Sequence, residues 1–430
     1  MPSLPPAMHH RDFRLLWVGV LFSGFAAQMV AVAVGWQVYA IHHSAFDLGL
    51  IGLAEFVPLP LLALPAGQLA DRLPRTLVFS GSIVAEAVVA GLLLLVTIGG
   101  AHQLWAFVAL AALTGVTAAF GSPAARSLVP ELVPTELLAG ALALRSIAFQ
   151  AATVAGPALG GLLFAIRPES VYAVAVALFA CSAVCVLGLS RPEALERIAE
   201  PGLQSLLGGI RLIRSTPILL GAITLDLFAV LFGGAVALLP LFAKSILHTG
   251  PVGLGVLRSM PAAGALVGAI MLTRKPLGGR AGQKLLLVVG AFGASMVVFG
   301  LSHTFWLSAA ALAVSGFVDM FSMNIRSTIV ALATPNALRG RVTSVEMVFI
   351  SASNELGAFE SGVAAALLGA MPAVVAGGAI TIVLALVWPR VFPQLAGVDR
   401  LETMGPSAAG GGEVLPVGGG GPASAPEPAD

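Results

Sequence analysis

Charge is scarce in this chain. Its 430 residues include only 22 Lys and Arg and 21 Asp and Glu, 10% in all, for a formal net charge of +1. That balance gives no hint of a nucleic-acid partner. Cysteine is scarcer still. Cys181 and Cys185 lie one helical turn apart in an apolar run, so they read as two small residues on a buried helix face, and they say little about redox compartment. No Gly-x-x-x-x-Gly-Lys-Ser/Thr loop is present, which removes ATP as the expected energy source. No Ser-His-Asp set has a usable context, so the chain does not read as an enzyme. His42 and His43 have no His, Cys or acidic ligand at metal spacing, and no cofactor is expected. The first apolar run, from Arg14 to about Ala40, exceeds the roughly 7–15 residues of a signal-peptide core and reads as a retained helix.

What is abundant is apolar sequence. Hydrophobic residues make up 58% of the chain, with 50 glycines and a mean hydropathy of +0.97. A soluble core does not need so much, and a bilayer does. Apolar segments recur at 14–40, 46–70, 76–98, 103–126, 136–165 and 169–190, then at 217–244, 251–273, 284–301, 304–330, 341–369 and 371–389. Each is close to or above the ~20 residues of a spanning helix. Helix is the economical choice because open strands would leave backbone groups unpaired in hydrocarbon. The expected fold is all-α and polytopic: twelve transmembrane helices in two six-helix bundles, at 1–190 and 217–390. A cytoplasmic loop at 191–216 joins them, and a largely disordered cytoplasmic tail follows at 391–430.

Lys and Arg set the orientation. Arg11, Arg14, Arg72, Arg75, Arg126, Arg191, Arg274, Arg326 and Arg390 all fall on one side, and the opposite side has only Arg167 and Lys244 near its surface. By the positive-inside rule both termini are cytoplasmic, in an inner membrane. Within the central loop, Leu203–Ile213 has the pattern of a surface amphipathic helix. From about residue 404 the sequence is too Gly- and Pro-rich to bury a core.

The halves echo each other. Arg126-Ser127, Pro134 and Leu138 precede the fifth span; Arg326-Ser327, Pro335 and Leu338 precede the eleventh, close to two hundred residues later. Six spans repeated in the same orientation make a parallel duplication, as in a two-bundle transporter.

Two short motifs narrow the reading. Gly67-x-x-x-Asp71-Arg72-x-x-Arg75, between the second and third spans, is a charged island. Asp71 is placed to meet the positive end of a facing helix and latch the bundles, with Arg72 and Arg75 pairing acids or phosphate head groups. Gly156-Pro157 with Gly160 and Gly161 combines small contact surfaces with a missing backbone donor, a recipe for a closely packed, kinked helix. The first motif resembles the signature loop of the major facilitator superfamily, and the second resembles its antiporter motif. Trp36-Gln37-Val38-Tyr39, Ser122-Pro123-Ala124-Ala125-Arg126, Arg339-Gly340-Arg341-Val342 and Ser353-Asn354-Glu355-Leu356-Gly357 add a similarity to the subfamily that contains the enterobactin exporter. The resemblance runs from about Arg11 to Val398. It implies export of a small molecule such as a siderophore, drug or related metabolite. There are departures: Pro74 stands where the loop motif has glycine, and the second-half counterpart at Thr273–Lys284 has no Asp.

Ionisable groups inside spans are costly, so they mark cavities or partners. Asp226 leads the candidates for a substrate or proton site, followed by Glu55, Arg258 and Glu355. Asn354 is a second polar group beside Glu355, and Asp226 and Arg258 are placed to pair or to line one cavity. Asp319 and Glu346 lie nearer the cytoplasmic ends and read as gating or packing groups. Gln28, in the first span, joins the ligand candidates. The expected function is alternating-access export driven by proton entry, by a monomer whose partners are a small-molecule substrate, protons and the bilayer. A proton-linked or facilitative importer is the alternative; a membrane sensor or membrane enzyme is a more distant one.

Overall fold

The computed structural model describes residues 5–100, 102–190, 203–274, 278–335 and 338–399. The expected disorder of the tail from about 404 falls outside them. Among the described residues there is no strand. The first half contains α1 (Arg11–His42), α2 (Ala45–Phe56), α3 (Pro58–Arg72), α4 (Arg75–Ile98), α5 (Leu104–Leu132), α6 (Leu138–Ile166) and α7 (Pro168–Leu187). The second contains α8 (Leu203–Ser215), α9 (Pro217–Gly233), α10 (Gly250–Arg274), α11 (Ala281–Leu301), α12 (Phe305–Ala333), α13 (Arg339–Leu368) and α14 (Ala370–Val391). After α9 the chain continues in short turns from Val236 to Ile246 and completes that span.

Among the described residues, eleven helical stretches are long and apolar enough to cross a membrane. α13 is as long as its neighbours but carries Glu346, Glu355 and Glu360, and it is not among the eleven. A twelve-helix arrangement is consistent with both facts. The span read from the sequence as 46–70 is two helices, because Pro58 and Pro60 follow Phe56 and remove backbone donors where α2 would continue. The amphipathic segment forms α8 and packs on α13 and α9. Both cysteines are free, but Cys181 is exposed rather than buried, because its side chain faces outward from α7.

Within the first half, α1 packs on α6 and α7, and α4 on α5 and α7. Within the second, α11 packs on α14 and α12, and α10 on α12. Among the described residues α1 touches α10, and the closest helix pairs that join the halves are α2 with α13 and α6 with α10. Both contacts are built on glycine. A Cβ on Gly362 would stand 2.6 Å from the Cα of Gly49, and a Cβ on Gly255 would stand 2.5 Å from the carbonyl oxygen of Pro157. In hydrocarbon no hydrophobic force drives helices together, so this close backbone approach supplies the attraction. Two polar contacts tie the halves at the same end: Tyr39 Oη lies 2.7 Å from Ser245 Oγ, and Lys244 Nζ donates to the Ala40 carbonyl at 3.1 Å.

Candidate substrate and coupling site

Glu55 sits one residue from the end of α2 and is fixed by its own backbone. Gly115 of α5 lies so close that a Cβ there would stand 2.1 Å from the Glu55 carbonyl oxygen. Gly52, one turn earlier, faces α13: its Cβ would stand 2.9 Å from the Cβ of Ala358 and 3.8 Å from Glu355 Oε2. The Glu355 carboxylate therefore lies against α2 on the side that leads to Glu55. Arg258, on α10, is the cationic neighbour of both carboxylates. The trio spans the division between the halves, with Glu55 from the first and Arg258 and Glu355 from the second. None of its members makes a direct ion pair among the described residues. All three keep partial exposure although they lie well inside their spans.

Two carboxylates near one guanidinium leave one negative charge in excess at a low-dielectric site. A proton taken up by either acid removes that excess and changes the attraction between Arg258 and the acids. Such a group is suited to coupling protonation with a relative movement of the bundles.

The other sequence candidates separate from this trio. Asp226 finds its partner in Arg326 of α12 instead of Arg258, in a direct ion pair inside the second half. Glu346 Oε1 approaches Arg326 Nε at 3.7 Å, and Arg326 is only 6% exposed. The sequence reading missed Arg326 by counting it among the inner topology charges. Helix position gave no signal, since Arg126 stands about as far before the end of α5 and is exposed; the carboxylates of other helices single out Arg326. Asn354 and Glu355 do not converge, since neighbours in a helix point about 100° apart. Asn354 is exposed and donates to the carbonyl of Ile350 at 2.9 Å in its own helix.

Gln28 is brought to the glycine-proline motif, where a Cβ on Gly156 would stand 2.7 Å from the Gln28 Cβ. Gly160 faces the backbone of Met29, and Gly161 faces the carbonyl oxygen of Pro251 across the division between the halves. The motif thus packs α6 against α1 on one side and α10 on the other, with Pro157 at the second contact.

In the charged island, Gly67 and Asp71 lie in the last turns of α3, and the Asp71 side chain falls outside the described residues. Arg72 is exposed. Arg75 Nη1 donates to Glu131 Oε1 at 2.8 Å, joining the start of α4 to the end of α5. The sequence reading did not single out Glu131. It also missed an uncharged network in which Tyr172 Oη donates to Gln37 Oε1 at 2.8 Å and Gln37 Nε2 donates to Thr97 Oγ1 at 3.1 Å.

Comparison with known proteins follows the same lines. Residues 3–404 match the family described as transmembrane secretion effector. The enterobactin exporter EntS of Citrobacter koseri is 28% identical over 375 residues, covering 85% of this chain and 86% of the relative. EntS of Escherichia coli O139:H28 is also 28% identical, with the same coverage. Among solved structures, a variant of the nucleoside transporter NupG superposes with a TM-score of 0.71 at 13% identity, over 89% of this chain and all of that one. A bacterial homologue of the iron transporter ferroportin, in an inward-facing state, gives 0.69 at 17% identity, over 90% of this chain and 99% of that one. At those identities the two structures speak for the fold alone.

Proposed function

This chain belongs to the transmembrane secretion effector family of the major facilitator superfamily, and on that premise we propose that it exports a small molecule, a siderophore, drug or related metabolite, in exchange for protons. It is a multi-pass membrane transporter and not an enzyme. The observation that carries the finer reading is the trio of Glu55, Arg258 and Glu355 astride the two halves. With the N-terminus in the cytoplasm, as the distribution of Lys and Arg favours, the glycine contacts and the Tyr39–Ser245 and Lys244–Ala40 ties close the outer end. The trio is then reached from inside. Cargo enters between the bundles near Gln28, and the bundles rock about the glycine contacts. Protonation of Glu55 or Glu355 from outside resets the cycle.

Enterobactin is the first cargo to test because it names the curated relatives. Everted membrane vesicles expressing the chain should accumulate enterobactin when their lumen is acidified, and a protonophore should abolish the uptake. Glu55→Gln and Glu355→Gln should each lose proton-driven uptake while still exchanging enterobactin down its gradient. Uptake that ignores the protonophore would remove proton coupling; uptake only by right-side-out vesicles would reverse the direction. The Asp71 latch belongs to the same proposal. Asp71→Asn should lower transport at unchanged abundance, and unchanged transport would leave the loop as a topology signal.

A further inference from the structure

The loop between α10 and α11 occupies the place in the second half that the charged island holds in the first, and it has no aspartate of its own. The start of α11 nevertheless meets a carboxylate. After α14 the chain turns back through Pro393–Ala396, burying Leu395 and Val398 against Ala281 and Leu285. The Arg280 amide then donates to Asp399 Oδ1 at 2.7 Å, the Ala281 amide to the Asp399 carbonyl at 2.9 Å, and the Gly282 amide to the Val398 carbonyl at 2.9 Å.

A helix leaves its first four N–H groups without intrahelical partners, and those partners usually come from a local capping residue. Here the residue in the cap position is Arg280, with φ +64° and no capping side chain. Three successive amides are satisfied from a segment 119 residues away in sequence instead. The approach is close enough to require glycine: a Cβ on Gly282 would stand 2.0 Å from the Leu395 carbonyl oxygen. The carboxylate also faces the positive end of the α11 dipole.

We infer that Asp399 is a positioning residue for transport. It supplies from the end of the helical domain the carboxylate that the second-half loop lacks, and it clasps α11 to the segment after α14 so that this end of the bundle moves as one body. The inference does not depend on which substrate is carried. Removing the carboxylate frees the α11 start, so Arg280 and the first turn of α11 no longer keep a fixed position when the bundles close.

The test uses the full chain in lipid nanodiscs. Hydrogen exchange is read over residues 279–285, and distances are measured between spin labels at Ser146→Cys and Thr273→Cys, with Cys181 and Cys185 replaced by serine. Asp399→Ala should speed exchange of the Arg280, Ala281 and Gly282 amides about tenfold or more and broaden the distance distribution. Asp399→Asn keeps an acceptor and should shift both readouts less. Gly279→Asp is the decisive rescue, because a Cβ at Gly279 would stand 2.9 Å from Asp399 Oδ1. Added to Asp399→Ala, it should return exchange and distances towards the parent. The proposal is overturned if Asp399→Ala leaves exchange unchanged, if exchange speeds while the distances stay as they were, or if Gly279→Asp restores neither. Loss of helix content in Asp399→Ala would count for the clasp only if Asp399→Asn and the double variant recover it. Deleting residues 401–430 should leave both readouts alone, and an effect equal to that of Asp399→Ala would assign the role to the tail instead.

Discussion

Arg126 and Arg326 occupy matching places in the two halves, yet their surroundings are opposite. Each is followed by a serine bonded to its own helix three residues back, Ser127 to Ala124 at 3.0 Å and Ser327 to Asn324 at 3.1 Å. Arg126 is exposed, whereas Arg326 is buried between Asp226 and Glu346. The eighth residue of α13 is Glu346, and the eighth residue of α6 is Arg145. The charge is reversed at one repeat position. Arg145 makes no ion pair among the described residues, and the charged side chain acting on it is Arg126, of the same sign. The two positions share the local backbone bonds while their charges differ. In the first half the Arg75–Glu131 ion pair lies at the rim, and the interior holds the neutral network of Gln37, Tyr172 and Thr97 beside Glu55, an acid with no ion pair among the described residues. The second half has an ionic core.

The comparison can be broken most severely at Arg326. Arg326→Ala strands two half-buried carboxylates and should cost on the order of 3–5 kcal/mol, read as a large fall in melting temperature in detergent. Arg126→Ala should change it little. Equal losses from the two would mean that the environments are not opposite after all. Next comes the pair of acids. Asp226→Asn or Glu346→Gln alone leaves Arg326 one carboxylate, so each should be mild, and the double variant should lose more than the sum. Strict additivity would show that Arg326 does not need either.

The contact between the halves offers a smaller break. Gly161→Val should force α6 from α10, since a Cβ there meets the Pro251 carbonyl oxygen at 2.3 Å, and should cost about 1–3 kcal/mol as well as closure of that end. Gly81→Val, with open space around it, is the control. Crosslinking between cysteines at Tyr39 and Ser245 reads the closure. At the rim, Arg75→Ala should cost about 1 kcal/mol or less, the smallest loss of the series. Finally, Arg145→Glu writes the second-half charge into the first. It should leave melting unchanged or raise it slightly, by up to about 1 kcal/mol; a marked fall would mean that Arg145 already has an anionic partner.

Much of this was legible beforehand. Glu55, Arg258 and Glu355 stood out because an ionisable residue in a long apolar run has few innocent explanations. The glycine-proline motif pointed to close packing, and α6 packs closely through it. The pairing of Asp226 was not legible. Arg258 and Arg326 were both available to it by sequence, and only the placement of α12 beside α9 selects Arg326. Glu131 escaped notice because its partner Arg75 lies 56 residues away on another helix. Asp399 looked like the start of a tail until the turn at Pro393 brought it back to α11.

The sequence by itself determined that this is a polytopic helical membrane protein. Hydrocarbon offers no partner for a backbone amide, so every apolar stretch of sufficient length must close its own hydrogen bonds as a helix. Tertiary structure alone decided which charge meets which. An ion pair is fixed by a few ångströms between side chains on different helices, and neither residue type nor spacing along the chain encodes that distance.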